Sequence, residues 1–354
     1  METNIETGSR LAKILAGSWL DSSSVCISVD GIANITPLLL KSGGGAIGWW
    51  RVKHSSLRST PAAHELHQAY RLHTLQAAIK ELEIGQVFSF LRSQGLEPLM
   101  GKGWAIARHY PERGLRPYGD IDLYVRPEQY NAFVTALKKP EARKWDVDLH
   151  CGVAELDDRS FDELFAHSQL IRVGEVEVRI FGPEDHFRLL CLHLLREGAL
   201  RPLWLCDIAV ALESRPANFD WDYFLSGNKR RTDWAACAIG LAHQLLGAKV
   251  DDTPVAWRAK HLPHWLVPTV LYHWGKGTTI HGQRQPMATY LRHRAGVINI
   301  IKALCLRWPN PIEATIGVKG PFNEWPRWPF QLGDSLSRTA RFLTRLPKLL
   351  HSQR

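Results

Sequence analysis

Between residues 61 and 93 the hydrophobic positions of the chain follow the period of a helix. Apolar residues recur there at three- and four-residue spacing, which predicts a helix with one apolar face. The residues of that face are Leu72, Leu75, Ile79 and Leu82. Pro61 suits a first helical turn, and Gly95 is expected to follow the end of the helix.

Farther along, the pattern changes to the period of two that β-strands show. Alternation of apolar and polar residues predicts strands at about 96–101, 120–126, 145–151 and 175–181. We expect these strands to form one mixed sheet with helices packed on it. Helical segments are expected between them at 104–110 and 127–139, and a loop rich in Pro, Gly and Arg at 111–119.

The remaining segments define the expected domain organisation. Beyond Pro183 the spacing is helical almost to the end of the chain, whereas residues 1–60 carry little pattern. The sequence therefore predicts an irregular segment at 1–60, a helical lead-in with an α/β core at 61–182, and a helical region at 183–354. This order of elements indicates an α+β fold.

The composition adds an excess of positive charge to this picture. Lys and Arg outnumber Asp and Glu by 44 to 35, so the formal net charge is +9. Such a charge suits a polyanionic ligand, for example a triphosphate, a nucleic acid or an acidic lipid surface. No apolar stretch is long enough to span a bilayer, no signal-peptide pattern is present, and the six cysteines include no C-x-x-C pair. We therefore expect a cytoplasmic protein.

Acidic residues on two of the predicted strands supply candidate chemistry. Asp120 and Asp122 point the same way, because successive residues of a strand alternate between its faces. Their like charges repel each other, and a cation between them removes that cost. Mg²⁺ prefers one or two carboxylates together with phosphate oxygens and water. The pair is therefore a candidate holder of a metal-bound triphosphate, and the alternative is the solvated face of an edge strand.

A second acidic pair, Asp146 and Asp148, lies on the strand predicted at 145–151. If the two strands are neighbours, Asp148 reaches the same metal cluster. A third carboxylate permits two metals, of which one activates the attacking oxygen and the other stabilises the leaving group.

Several other polar residues are expected to be structural. His150 follows Asp148 on its strand, and we expect its ring to face away from that carboxylate. Asp207 lies in an apolar helical segment, where a buried carboxylate needs a partner, and Arg201 or Arg196 is expected to supply it. Residues 335–354 form a basic amphipathic pattern, which either packs on the protein itself or contacts an anionic surface or a partner.

The motifs around the first acidic pair resemble those of a known superfamily. They are MGKGWA at 100–105, YP at 110–111, LRPYGDIDLYV at 115–125, VDLH at 147–150, LH at 192–193 and LCDIA at 205–209. Together they resemble the nucleotidyltransferase superfamily with a polymerase-beta-like core, and more closely an uncharacterised bacterial nucleotidyltransferase family. The resemblance covers roughly residues 60–250.

The resemblance implies a phosphate-binding turn after the first strand. Gly101 and Gly103 would let backbone N–H groups approach the triphosphate, and Lys102 would neutralise its charge. Arg113 and Arg116, in the loop before the acidic pair, are candidates for the same task because a guanidinium is well shaped for phosphate.

Two features depart from the superfamily pattern. Trp104 follows the turn where the superfamily usually has Gly-Ser or Gly-Gly, so no hydroxyl is offered to phosphate there. The span between Asp122 and Asp148 is also shorter than is usual in this family, and this departure concerns the assignment of Asp148 as the third carboxylate.

Two functions fit these residues. The first is a Mg²⁺-dependent (or Mn²⁺-dependent) nucleotidyltransferase that moves a nucleoside monophosphate from a nucleoside triphosphate to an acceptor. In it Asp120, Asp122 and Asp148 are the catalytic residues and metal ligands. The acceptor is expected to be a small molecule or a protein rather than RNA, since no aromatic and basic array of an RNA-binding module is present. The second is a catalytically inactive relative with a nucleotide-binding or antitoxin-like regulatory role.

Overall fold

The N-terminal part of the chain is helical. The computed structural model describes residues 2–20, 27–278 and 308–351. Its first helices are α1 (Glu2–Leu15), α2 (Val29–Ser42), α3 (Gly45–Val52) and α4 (Pro61–Ser93). The prediction of an irregular segment at 1–60 is therefore wrong for the residues described there. Leu15, Ile35 and Ile47 are fully buried, so tertiary packing stabilises short helices that would be marginal in isolation.

The long helix α4 has the predicted bounds, but its predicted apolar face is exposed. Leu72, Leu75, Ile79 and Leu82 are 53%, 61%, 49% and 71% exposed. The helix instead buries Leu66 in a cluster with the N-terminal helices and Phe88 in a second cluster with the sheet. Apolar spacing indicates that a helix has such a face, whereas tertiary packing decides which face meets the core.

Five strands form one mixed sheet in the middle of the chain. They are β1 (Leu99–Met100), β2 (Ile121–Val125), β3 (Val147–Cys151), β4 (Gln169–Val173) and β5 (Val176–Ile180), in the order β3-β2-β1-β5-β4. The four predicted strands and the α+β class are confirmed. Strand β4 was not predicted, because it lies at the sheet edge and most of its side chains are exposed. The helices of this core are α5 (Gly103–Ala107), α6 (Tyr130–Leu137) and α7 (Phe161–Ala166).

Parallel pairing between β2 and β3 fixes the positions of the acidic residues. In this register Asp122 lies opposite Asp148, and Tyr124 lies opposite His150. Strand β1 pairs antiparallel with β2, and the Gly101 N–H donates to the Asp122 carbonyl oxygen at 3.2 Å. The turn that follows β1 therefore lies beside Asp122.

The second half of the chain is helical, as predicted, within the residues described. Its helices are α8 (Pro183–Arg196), α9 (Pro202–Glu213), α10 (Trp221–Leu225), α11 (Lys229–Leu246), α12 (Ala256–Lys260), α13 (Leu266–Gly275), α14 (Pro311–Gly317) and α15 (Trp328–His351). Helix α13 packs closely on α1, and a Cβ atom at either Gly8 or Gly275 would overlap the backbone of the facing helix. Glycine at these two positions thus joins the N-terminal helix to the C-terminal half.

Helix α15 carries the predicted basic amphipathic pattern, and part of it packs on the protein. Arg338 forms ion pairs with Glu313 of α14 at 2.8 Å and with Asp334 at 2.6 Å. The side chains of Arg345 and Lys348 lie outside the described part of the chain, so contact with an anionic surface stays a prediction. Among the described helices, none is both long and apolar enough to cross a membrane.

The exposed face of α4 leads to a first prediction. Replacing Leu82 with Gln is expected to change the free energy of unfolding by less than ~0.5 kcal/mol, because this side chain mainly contacts water. Replacing the fully buried Leu66 with Ala is expected to cost about 2–5 kcal/mol. Urea unfolding followed by circular dichroism measures both changes. A loss above ~2 kcal/mol for Leu82→Gln would contradict this assignment and show that the face is covered in solution.

Candidate active site

Three carboxylates lie together in one cleft of the structure. Asp122 on β2 is buried, with 6% of its surface exposed, whereas the side chain of Asp148 on β3 is 52% exposed. Asp120, just before β2, is exposed. All three residues line the same cleft. The structure thus brings together the acidic residues that the sequence pattern singled out, and their roles as catalytic residues and metal ligands stay predictions.

The ring of His150 lies between two of these carboxylates. Its Nε2 atom is 3.1 Å from Asp122 Oδ1 and 3.2 Å from Asp148 Oδ2. The expectation that His150 faces away from Asp148 is wrong, because residues two apart on a strand point to the same side. The ring also stacks on Tyr124, with 4.4 Å between the ring centroids, and this contact fixes its plane.

The donor set at this point suits a divalent metal ion. One ligand atom from each of Asp122, Asp148 and His150 lies within 4.8 Å of the other two. Carboxylate oxygens are ligands for Mg²⁺ and Mn²⁺, and an imidazole nitrogen suits transition metals better than Mg²⁺. His150 is therefore a candidate ligand that the sequence interpretation set aside.

The predicted phosphate-binding turn connects β1 to α5. Lys102 has φ 49°, in the left-handed region that residues other than glycine seldom adopt. Its N–H donates to Nε2 of the buried His186 at 3.0 Å, which holds the turn in place. The Lys102 ammonium lies 2.6 Å from Asp122 Oδ1, so in this structure Lys102 contacts a carboxylate of the cluster.

The surroundings of Asp120 and Asp122 shift the pKa values of these two carboxylates in opposite directions. Burial by itself raises the pKa of Asp122, but hydrogen bonds and charge from His150 and Lys102 outweigh burial and lower that pKa below its ordinary value. Partial desolvation raises the pKa of Asp120, and the negative charge of Asp122 adds to the rise. Asp122 is therefore held ionised, as a metal ligand must be, and Asp120 is the more basic carboxylate.

Arg116 has a different place from the one predicted. Its side chain is buried and pairs with Asp207, with Nη2 2.7 Å from Oδ2 and Nε 3.1 Å from Oδ1. The hydroxyl of Tyr110 donates to Asp207 Oδ1 at 2.9 Å. Arg116 borders the cleft, but its guanidinium is engaged by Asp207 rather than free for phosphate. Asp207 therefore has Arg116 as its partner, and the expected pairing with Arg201 or Arg196 is wrong.

The cleft has a volume of about 570 Å³, and its lining includes the cations Lys41 and Arg201 together with the carboxylates. Lys41, at the end of α2, donates to the Gly277 carbonyl oxygen at 2.7 Å. Arg201, just before α9, donates through Nε to the Ser42 carbonyl oxygen at 3.3 Å, and burial lowers the pKa of this guanidinium. Neither cation has a carboxylate within ion-pair distance among the described residues.

A family model described as an uncharacterised nucleotidyltransferase matches residues 49–247. The chain belongs to this nucleotidyltransferase family. The matched span is more than half of the chain and includes the acidic cluster, the turn with Lys102, and Arg201. The nucleotidyltransferase resemblance of the central motifs is thereby confirmed. No curated protein and no solved structure matches the chain.

Sequence reasoning missed two cations, Lys41 and Arg201, that line the same cleft as the acidic cluster. Lys41 lies outside the span that resembles the superfamily, and Arg201 stands alone before an apolar helix. Arg113, by contrast, was a candidate from its position in the basic loop, and it pairs with Glu81 at 2.7 Å and does not line the cleft. Proximity in sequence to the acidic motif therefore selected two arginines that are paired with carboxylates in this structure, and a phosphate-binding role for Arg116 stays a prediction.

The Arg116–Asp207 pair gives a second prediction, which concerns the stability of the protein. Arg116→Gln is expected to cost about 3–5 kcal/mol of unfolding free energy, because the buried Asp207 loses its counter-ion. The double variant Arg116→Met with Asp207→Leu is expected to be more stable than Arg116→Gln, since no buried charge remains. Guanidinium chloride unfolding measures both. Weakened triphosphate binding with unchanged stability in Arg116→Gln would instead support the phosphate-binding role.

The buried His186 gives a third prediction, about pH. Burial lowers the pKa of His186 from 6.5 to about 3 in the folded protein. The unfolded chain therefore takes up a proton that the folded chain does not. The free energy of unfolding consequently falls as the pH drops from the ordinary pKa of histidine, 6.5, towards the pKa of His186 in the folded protein, about 3. His186→Gln should make this loss shallower by up to ~1.4 kcal/mol per pH unit.

Urea unfolding of both proteins between about pH 6 and pH 4 tests this expectation. Burial also lowers the pKa values of His109 and His273 to about 4, and these two groups remain in both proteins. The difference between the two slopes is therefore the quantity that reports on His186. Equal slopes would mean that His186 is accessible to protons in the folded state.

Proposed function

We propose that the protein transfers a nucleoside monophosphate from a nucleoside triphosphate to an acceptor, with Mg²⁺ or Mn²⁺ bound at Asp122, Asp148 and His150. The observation that carries the proposal is the convergence of these three side chains in a cleft of a chain that belongs to a nucleotidyltransferase family. The mixed sheet and its acidic strand pair are also in keeping with a polymerase-beta-like core.

The metal ligands, the basic side chains and the glycine turn of the cleft would each act on the triphosphate in this reaction. A bound divalent ion would supply positive charge to the phosphates and orient them for attack. Arg201 and Lys41, which also line the cleft, would neutralise phosphate oxygens that do not contact the metal ion. Gly103 lines the cleft and carries no side chain, so a triphosphate can approach the turn closely there. The predicted phosphate contact of Gly101 is not available in this structure, because its N–H is donated to the Asp122 carbonyl oxygen.

Asp120 lines the cleft without belonging to the three proposed metal ligands, and we assign to it the role of accepting a proton from the acceptor hydroxyl. Its pKa is raised, whereas that of Asp122 is lowered, so Asp120 is the stronger base of the two. The acceptor oxygen would form a bond to the α-phosphorus, its proton would pass to Asp120, and pyrophosphate would leave. The acceptor itself is a small molecule or a protein by this proposal, because the sequence contains no aromatic and basic array like that of an RNA-recognition module.

A second function can be tested because the Lys102 ammonium lies 2.6 Å from Asp122 Oδ1, an oxygen of a proposed metal ligand. A permanent ammonium at that place would exclude a metal and leave a nucleotide-binding protein without turnover. Trp104, which is buried beside the turn and offers no hydroxyl to the cleft, also fits this alternative. Release of pyrophosphate from labelled triphosphates distinguishes an enzyme from a binding protein.

The fourth prediction tests the metal-bound triphosphate at Asp122. Replacing Asp122 with Asn keeps the size of the side chain and removes one ionic ligand. Binding of each Mg²⁺–nucleoside triphosphate that the parent protein binds is expected to weaken by at least about tenfold, and turnover by at least about a hundredfold, because the ligand acts on both ground state and transition state. Isothermal titration calorimetry and pyrophosphate release measure these two effects.

Asp146→Asn is the matched control for this experiment. Asp146 is an exposed aspartate two residues before Asp148, and it does not line the cleft. The same loss of charge there should leave triphosphate binding unchanged. Equal binding by the parent protein and Asp122→Asn would remove Asp122 from the site and end the proposal.

A further inference from the structure

We propose that Lys102 is a built-in cation that competes with the divalent metal for Asp122 and moves to the phosphates when a metal-bound triphosphate enters. The part played by the triphosphate rests on the proposed function, whereas the competition between ammonium and metal is a property of the protein alone. The consequence is that the metal binds weakly by itself and that metal and triphosphate bind cooperatively.

The competition centres on one oxygen atom. Asp122 Oδ1 lies 2.6 Å from the Lys102 ammonium and 3.1 Å from His150 Nε2. The ligand atoms of Asp122, Asp148 and His150 surround the same small volume, within 4.8 Å of one another. An ammonium at hydrogen-bond distance from one ligand of this cluster is therefore only a few ångströms from any ion bound by all three. Two positive charges so close repel strongly, because the side chains of Lys102 and Asp122 are only 12% and 7% exposed and water screens them little.

The backbone keeps Lys102 aimed at Asp122. Lys102 has φ 49° and ψ −137°, and its N–H donates to His186 Nε2 at 3.0 Å. The preceding Gly101 is packed so tightly that a Cβ atom there would lie 3.1 Å from Leu189 and Phe181. The turn is thus fixed from both sides. Exchange of the ammonium between partners therefore involves the flexible four-carbon side chain and leaves the turn in place.

Exchange is favourable only when the metal arrives with an anion. The Lys102 side chain lines the cleft and is 12% exposed, so a departing ammonium is only partly hydrated. A metal alone would displace this charge without providing a new counter-ion, which is costly in a partly buried place. A triphosphate provides oxygens for the ammonium, which binds phosphate as a point charge. Each ligand thereby removes an obstacle to the other, and such coupling is reciprocal.

The test measures Mn²⁺ binding to the full chain without nucleotide, by electron paramagnetic resonance of the free ion. Lys102→Gln removes the competing charge, so it should tighten Mn²⁺ binding by on the order of tenfold relative to the parent protein. Lys102→Arg keeps a positive charge and should bind Mn²⁺ as weakly as the parent protein does. Repeating the titrations with a non-hydrolysable ATP analogue should raise Mn²⁺ affinity more in the parent protein than in Lys102→Gln.

Lys80→Gln is the matched control. Lys80 lies 2.7 Å from Glu83 on α4, outside the cleft, so the variant loses the same charge from a similar ion pair. Its Mn²⁺ affinity should equal that of the parent protein, which excludes a general effect of net charge. Lys102→Met serves as a second uncharged variant should Lys102→Gln not fold, and near-ultraviolet circular dichroism reports on the fold of each protein.

Equal nucleotide-free Mn²⁺ affinities in the parent protein and in the folded uncharged variant, within about twofold, overturn the proposal. This result differs from a failure of the proposed function, in which the metal–triphosphate complex binds no better to the parent protein than to Asp122→Asn. The titration without nucleotide decides the competition in either case, because no triphosphate is present in it.

Discussion

The parallel register between β2 and β3 is the constraint on which the site depends. It places Asp122 directly opposite Asp148, an arrangement of like charges that destabilises a sheet unless nearby positive charge offsets it. The Lys102 ammonium and the His150 ring occupy that position, and both contact the same oxygen of Asp122. The strand pairing therefore requires a cation at this point in the fold, and a protein that holds one there is already close to holding a metal.

The walls of the cleft depend on contacts between parts of the chain that are far apart in sequence. Arg116 and Tyr110 bind Asp207 of α9, which fastens the loop before Asp120 to the C-terminal helices. The glycines at positions 8 and 275 let α1 and α13 approach each other, so the N-terminal helices complete the same structure. The cleft that holds the carboxylates is consequently lined by residues from distant parts of the chain, from Leu11 of α1 to Gly277 after α13.

Elements with a strong local signal could be predicted from the sequence. The spacing of apolar residues gave α4 its bounds, and alternation gave the strands that carry Asp122 and Asp148. The helices within residues 1–60 and the edge strand β4 could not be predicted, because their stability comes from packing against distant residues or from pairing with a neighbour.

The site residues also differ in whether the sequence alone could identify them. The D-x-D spacing pointed to Asp120 and Asp122 because two carboxylates on one strand face carry a cost that is visible in the sequence itself. His150 obeys the same alternation as Asp148, so its position near that carboxylate was available from the strand pattern. The partner of Asp207 was not available, since Arg116 is distant in sequence and only the fold brings the two together.

The distribution of carboxylates decides which cations can act on a ligand. Arg116 and Arg196 both border the cleft, but Asp207 and Glu155 neutralise them. Burial by itself raises the pKa of Glu155, but hydrogen bonding and charge from His193 and Arg196 outweigh burial and lower this pKa to about 2. Arg201 and Lys41 donate instead to carbonyl oxygens, which leave their full charge in place. Together with Lys102, these two residues therefore bring positive charge into the cleft. The cleft therefore contains side chains of both charges, and a ligand that joins a divalent cation to a polyanion matches such a lining.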